Sequence, residues 1–260
     1  MVKGHIARRV LDKDLPIETS LHFDYVSRDY AKRFVSIGKR QQIVRVEPLV
    51  ARPADMKLYV KIPAPSVLRV QIFLDECGQS LDEIEIEDTR SPAFLEINPF
   101  GTVPVLETDA GETISESLTI CRHLDRQWQT GLFGSTEGER LQIELWERRA
   151  ELLLYVPAIE YVHQMHPMFA SRVEQHPEWA KVLAERARRA LAIFNEQLEH
   201  TQFIGGDTFS IADITAFLGV SALAAFGAVD LAEFPALARW AEAIGSRPSM
   251  ARLRTLAMQA

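Results

Sequence analysis

The sequence of 260 residues has little cysteine, no long apolar run and no excess of positive charge. Its two cysteines, Cys77 and Cys121, exclude a disulfide-stapled secreted scaffold and favour a reducing compartment. No apolar run reaches the roughly 18 residues that a membrane helix needs, and the first residues lack the apolar centre of a secretory signal. We therefore expect a cytoplasmic protein that has no membrane partner.

The formal net charge of −7 argues against a protein dedicated to nucleic-acid binding. Residues 1–55 carry 11 Lys and Arg against 7 Asp and Glu, but acidic and apolar residues interrupt this basic stretch. Histidines and carboxylates show no metal-ligand spacing, and HQMH at 163–166 is a poor zinc signature. We expect neither a nucleic-acid partner nor a metal.

What the chain does have is the composition of a well-packed globular protein, with 47% hydrophobic and 25% charged residues. Residues 1–55 show no sustained helical or strand period, whereas a clear pattern begins at Met56. We interpret residues 1–55 as an N-terminal extension. One interpretation, which we favour, is that the start is mis-annotated and the true start is Met56. The other is an appended segment that packs on the main body.

Element types alternate between Met56 and about residue 131. Residues 67–77 carry a stripe of apolar residues at helical spacing, which predicts a helix that ends at Gly78. The predicted elements, in chain order, are a strand at 57–61, a helix at 67–77, a strand at 81–87, a short helix at 91–98, a hairpin at 102–114 and a helix at 115–128. This order predicts a small sheet with helices packed on it.

Every strong signal after about residue 135 is helical. Leu141, Leu145, Arg148 and Leu152 share one face of a long helix, which Pro157 is expected to kink or interrupt. Further helices are predicted at 177–200, 210–226 and 235–245. Ser210 and Asp213 form a capping box that stabilises the fold and is not a chemical site.

Three motifs resemble those of the glutathione S-transferase superfamily: NPFGTVPVLE (98–107), ISESLTICRHL (114–124) and FSIADITAF (209–217). The stretch IPAPSVLRVQIFLDECG is most similar to the bacterial theta-like and nu-like branch. The resemblance covers residues 56–260. It implies an α/β thioredoxin-like N-terminal domain at 56–131, an all-α C-terminal domain at 136–260, and a homodimer.

The resemblance also implies where glutathione binds. Pro104 would follow a cis peptide bond, and the backbone of Val103 would pair with the cysteinyl part of glutathione as an added strand. Glu116 would help to hold the γ-glutamyl ammonium group, and Ser117, at a helix N-terminus, would take the γ-glutamyl carboxylate. The structural alternatives are an ordinary edge-strand proline and simple helix caps, but together the motifs favour binding.

The group that stabilises the thiolate is less well determined by the sequence. Ser66 precedes an apolar helix and could donate to the thiolate or simply cap the helix. The position of the catalytic serine in theta and zeta members falls on Ala64. In theta-like relatives polar groups of the helical domain act on the thiolate, and His163 and His166 are candidates for this role. The alternatives, which we favour, are that each lines the substrate pocket or lies at the surface.

Arg90 is the only obvious residue for the glycine carboxylate, because the loop at 87–92 is shorter than in relatives. Cys77 and Cys121 lie in apolar helical contexts and are interpreted as structural. The function implied is conjugation of glutathione, as co-substrate, to a small electrophile that the sequence does not identify. The alternatives are a glutathione-dependent disulfide reductase and a non-catalytic binding module.

Overall fold

The computed structural model describes residues 34–37, 40–43 and 56–257. The chain divides into two units, residues 1–50 and residues 51–260. In the first unit, strands β1 (Phe34–Ile37) and β2 (Arg40–Ile43) form an antiparallel pair. This pair was not predicted, because strands of four residues are too short to show a period. The rest of the predicted extension lies outside the described residues.

The second unit begins with a four-stranded sheet and three helices. They are β3 (Lys57–Val60), α1 (Pro65–Glu76), β4 (Asp82–Glu85), α2 (Pro92–Ile97), β5 (Val105–Glu107), β6 (Thr113–Ser115) and α3 (Ser117–Trp128). The strand order is β4-β3-β5-β6, with β3 parallel to β4 and β5 antiparallel to both neighbours. This is the thioredoxin-like arrangement that the resemblance implies.

Successive residues of β3 face opposite sides of the sheet, as a strand requires. Leu58 and Val60 pack in the core formed with α1 and α3, whereas Tyr59 packs with Phe94 of α2 on the other side. Helix α1 ends where predicted, since Gly78 adopts a φ of +61° that glycine tolerates best.

The remainder is helical, as the sequence predicts. Its main helices are α4 (Glu137–Ala150), α5 (Val156–Met165), α6 (Pro177–His200), α7 (Ile211–Ala225), α8 (Pro235–Gly245) and α9 (Ala251–Ala257). A single π-helical turn, Glu151–Tyr155, joins α4 to α5 immediately before Pro157. The interruption predicted at Pro157 therefore takes the form of a wider turn.

Helix α7 is the centre of the helical part, and all its residues from Ile211 to Val220 are buried. The Asp213 carboxylate accepts hydrogen bonds from the backbone N–H of Ser210 at 3.0 Å, from that of Ile204 at 2.9 Å and from Trp240 Nε1 at 2.9 Å. The predicted capping box is therefore present. Burial raises the pKa of Asp213 to about 6 against the effect of these donors.

The π turn lies close against α7, and this contact positions side chains near α1. A Cβ atom on Gly219 would come within 2.8 Å of the backbone nitrogen of Tyr155, so the two segments touch without an intervening side chain. Glu151 and Tyr155 thereby project from the helical part toward Arg69 of α1. No helix between residues 56 and 257 is long and apolar enough to cross a membrane.

Candidate active site

Val103 lies just before β5, outside the paired part of the sheet. The Val103–Pro104 peptide bond is cis, as the resemblance implies. Within the described residues, neither the N–H nor the C=O of Val103 has a backbone partner. The preceding loop is held by Asn98, whose side-chain amide donates to the Thr102 carbonyl at 2.8 Å. Val103 thus offers one donor and one acceptor at a half-buried edge.

Ser66 lies beside this edge, as the second residue of α1. Its hydroxyl donates to the Val103 carbonyl oxygen at 2.8 Å. Ala64, at the family's serine position, is the N-cap of α1 and has no side chain that could cap the helix. The structure therefore brings together two of the predicted site residues.

Glu116 and Ser117 follow β6 and begin α3. Glu116 has a φ of +70°, a conformation that costs a non-glycine residue free energy and is concentrated at functional sites. Its side chain is exposed and does not cap the helix. The first N–H of α3 that bonds back is that of Ile120, to Glu116 O. The preceding N–H groups are thus available to an anion.

Arg90 packs on the loop that leads to Val103. Its backbone N–H donates to the Asp88 carboxylate at 2.8 Å, and its guanidinium Nη1 lies 3.4 Å from the Phe100 carbonyl oxygen. A Cβ atom on Gly101, which has a φ of +62°, would come within 3.1 Å of the same nitrogen. The Arg90 side chain remains exposed.

Arg69 of α1 was not predicted as a site residue. It is 1% exposed, and its Nη1 donates to Ser117 Oγ and to Glu151 Oε1, each at 3.2 Å. Its guanidinium carbon lies 4.1 Å from the centre of the Tyr155 ring. The signal in the sequence was an arginine within the apolar run VLRVQIF, where a buried charge needs partners from elsewhere in the fold.

Acidic residues of the helical part surround this arginine. Glu151 is shared between Arg69 and the exposed Arg148, whose Nη1 lies 3.0 Å from the second carboxylate oxygen. Burial and the nearby Glu151 charge raise the pKa of Glu147 to about 7, while Arg69 opposes this effect. Burial likewise raises the pKa of Tyr155 to about 12, so its hydroxyl stays neutral at physiological pH.

His163 and His166 lie at the end of α5 and just beyond it. The His163 ring packs on Phe169, with ring centres 4.3 Å apart, and burial lowers its pKa. His166 Nδ1 accepts from the Met168 N–H at 3.3 Å, and its ring meets the edge of Phe226. Among the described residues, no hydrogen bond joins either histidine to the groups around Val103.

Neither cysteine has the character of a nucleophile. Burial raises the pKa of the Cys77 thiol to about 11 and raises that of the fully buried Cys121 further. Thiolates are the reactive form, so both thiols are inert at neutral pH. Over the described part of the chain, no three His, Cys, Asp or Glu side chains are grouped to hold a metal ion.

Two features define the class of fold. One is a thioredoxin-like sheet followed by a helical domain, and the other is a cis-proline edge with a helix N-terminus beside it. The family models for the glutathione S-transferase N-terminal domain and C-terminal domain match residues 64–127 and 150–248. The chain belongs to the glutathione S-transferase superfamily and is a glutathione S-transferase-like transferase.

Several relatives illustrate this membership. Glutathione S-transferase 2 of Saccharomyces cerevisiae is 32% identical over 198 residues, which are 74% of this chain and 85% of the yeast protein. The crystal structure of Gtt2 from the same yeast superposes with a TM-score of 0.69 at 32% identity, covering 76% of this chain and 99% of that one. Disulfide-bond oxidoreductase YfcG of Escherichia coli is 29% identical over 72% of this chain and 89% of its own length.

Proposed function

We propose that this protein catalyses the addition of the glutathione thiolate to a small electrophile. The observation that carries the proposal is the Ser66–Val103 contact, because it puts a hydroxyl, a helix N-terminus and an unpaired strand edge in one place. The name of the yeast relative, glutathione S-transferase 2, supports a glutathione-dependent transfer but does not indicate a particular electrophile.

Glutathione would lie along the strand edge. Its cysteinyl N–H and C=O would pair with the C=O and N–H of Val103, neither of which has a backbone partner within the described residues, as an added strand does. Its γ-glutamyl carboxylate would meet the Ser117 hydroxyl and the free N–H groups of α3, and Glu116 would attract its ammonium group. Arg90 is proposed to face the glycine carboxylate at the other end of the tripeptide.

The thiol would lie near Ser66, since the Ser66 hydroxyl is already 2.8 Å from the carbonyl that we pair with the cysteinyl residue. Rotation of that hydroxyl toward sulfur gives a charge-assisted hydrogen bond, worth about 1.5–3 kcal/mol. The N-terminus of α1 adds a favourable field for the anion. Together they stabilise the thiolate at neutral pH, where a free thiol is only a few per cent ionised.

In the reaction with an aryl halide, the thiolate sulfur forms a bond to the ring carbon and the halide leaves with its electron pair. The proton released on ionisation of the thiol goes to solvent. We propose that His163 and His166 line the wall that receives the electrophile, as the half-buried aromatic surroundings of both rings support.

Disulfide reduction is the second candidate, and the likeness to a protein named disulfide-bond oxidoreductase favours it. One glutathione thiolate would attack a substrate disulfide and release a thiolate, and a second glutathione would resolve the mixed disulfide to oxidised glutathione. Bound glutathione would supply the sulfur, because Cys77 and Cys121 are held protonated. Both cysteines are free thiols, which supports our placement of the protein in the reducing cytoplasm.

We further propose a homodimer. Three leucines of the predicted apolar face lie at the surface, and we call them the outward stripe: Leu141 is 65%, Leu145 39% and Leu152 50% exposed. Trp146 of α4, by contrast, is buried. An apolar stripe of this kind is typical of a surface that a partner covers. A second copy of the chain is the occupant that we propose.

Calorimetry with glutathione tests the proposed function. We expect binding by the full chain, and a Kd about ten-fold higher for Ser117→Ala, because that variant loses a hydrogen bond to a carboxylate. Thr119→Ala is the matched control, since it removes a hydroxyl from the exposed side of the same helix turn. Absence of heat with millimolar glutathione and well-folded protein would overturn the proposal.

Rates with an aryl halide and with a mixed disulfide then separate the two reactions. Faster turnover of the halide supports conjugation, and faster turnover of the disulfide supports the second candidate. Binding without either reaction would leave the chain as a glutathione-binding module.

A further inference from the structure

Ser117 has an unusual neighbour, the buried guanidinium of Arg69. A hydroxyl oxygen can accept hydrogen bonds while its own proton goes to a different acceptor. Ser117 Oγ accepts from Arg69 Nη1 at 3.2 Å, and among the described residues its proton has no acceptor. The arginine therefore determines which side of the oxygen the proton can occupy.

Arg69 is itself held in one position. Its two Nη1 protons serve Ser117 and Glu151, and its guanidinium lies over the Tyr155 ring. Nε and Nη2 are buried without a hydrogen-bond partner in the described part of the chain, so the positive charge is only partly compensated. Glu151 also pairs with Arg148, which leaves a net positive charge on this trio.

We infer that Arg69 is a positioning residue for glutathione, which fixes Ser117 as a hydrogen-bond donor to the γ-glutamyl α-carboxylate. The inference rests on the proposed function, because it assumes that glutathione binds at α3. In this role Arg69 acts on the ligand through Ser117 and does not itself contact the ligand. Glu151 and Tyr155, from the helical domain, hold the arginine and so link that domain to ligand affinity.

The first test is a double-mutant cycle on the glutathione Kd, measured by calorimetry. We expect Arg69→Gln and Ser117→Ala each to raise Kd about ten-fold, and the double variant to be within about two-fold of Ser117→Ala alone. Arg189→Gln is the matched control, since Arg189 is 73% exposed and pairs with Glu185 on α6; its Kd is expected to stay unchanged.

The second test changes the ligand and so separates positioning from general stability. The probe is 4-aminobutyryl-cysteinylglycine, which keeps the amine and the thiol of glutathione and lacks the α-carboxylate. Arg69→Gln should leave the affinity for this analogue unchanged, whereas a merely structural defect would weaken both ligands. In turnover with an aryl halide, KM for glutathione should rise while kcat at saturation is kept.

Arg69→Lys provides a variant that retains the buried charge, in case Arg69→Gln does not fold. We expect its glutathione Kd to fall between wild type and Ser117→Ala, since an ammonium group can still donate to Oγ. Fully additive effects in the cycle, or equal losses for both ligands, would overturn the inference while leaving the proposed function intact. Failure of the wild-type protein to bind glutathione would overturn both.

Discussion

The Ser66 hydroxyl donates a 2.8 Å hydrogen bond to the carbonyl oxygen of Val103, which lies 37 residues further along the chain. This contact ties the first turn of α1 to the peptide that precedes Pro104. It places a movable proton donor beside an unpaired strand edge, which is where the cysteinyl residue of glutathione is proposed to bind.

Replacing this hydroxyl, in Ser66→Ala, is expected to lower kcat/KM toward an aryl halide by about ten-fold and to raise the pKa of enzyme-bound glutathione by about one unit. The reason is the loss of one charge-assisted donor to the thiolate. Thiolate absorbance followed across pH, together with steady-state rates, measures both effects. Ser246→Ala is the control, because Ser246 makes a similar 2.8 Å bond to the Ala243 carbonyl, at the end of α8. Unchanged rates and thiol pKa in Ser66→Ala would show that another group stabilises the thiolate.

Glu147 makes the stability of the protein depend on pH. Burial raises the pKa of Glu147 in the folded protein to about 7, from an ordinary value of 4.5. Between these two pH values the folded protein therefore holds a proton that the unfolded chain releases. The favourable contribution is therefore complete below pH 4.5 and is lost as pH rises toward 7, by on the order of 3 kcal/mol.

Glu147→Gln should remove this dependence, because the amide stays neutral and can still accept from the Thr215 hydroxyl. We expect the variant to melt at a higher temperature than wild type at pH 8 and at nearly the same temperature at pH 5, as measured by calorimetric scans. Glu144→Gln serves as control, since Glu144 is 62% exposed. A pH-independent difference between Glu147→Gln and wild type would contradict the prediction.

The outward stripe on α4 is expected to form the dimer contact. Leu141→Glu, alone or with Leu145→Glu, should convert a dimer to a monomer, since a charge at a buried contact is not compensated. Light scattering after size exclusion gives the molar mass. Ile193→Glu is the control: Ile193 is 55% exposed on α6, so the change adds the same charge away from the stripe. A monomeric wild type, or a dimeric double variant, would refute this use of the stripe.

Asp213 is expected to be among the most sensitive positions for stability. Asp213→Ala leaves the N–H groups of Ile204 and Ser210 and the Trp240 indole buried without their acceptor, which we expect to cost about 3 kcal/mol or more. Denaturant titration measures the loss. The comparison is Asp230→Ala, which removes one exposed cap bond to the Ala232 N–H and should cost at most about 1 kcal/mol. Similar losses in both variants would count against a special role for Asp213.

Much of the fold was predictable because its signals are local. The alternation of elements after Met56, the turn at Gly78 and the Ser210–Asp213 capping box each depend on residues within a few positions of one another. The short β1–β2 pair was missed, and the long helix was predicted without its π turn. A π turn depends on packing against another element, here at Gly219, which a periodicity does not reveal.

The site divides in the same way. The sequence determined Val103, Pro104, Glu116 and Ser117 as candidates through the family resemblance, which local motifs carry because each motif is a run of neighbouring residues. Only the tertiary structure decided that Arg69 meets Ser117, 48 positions away, and Glu151, 82 positions away. A buried charge is tolerated only where the fold supplies its partners, and those partners come from distant parts of the chain.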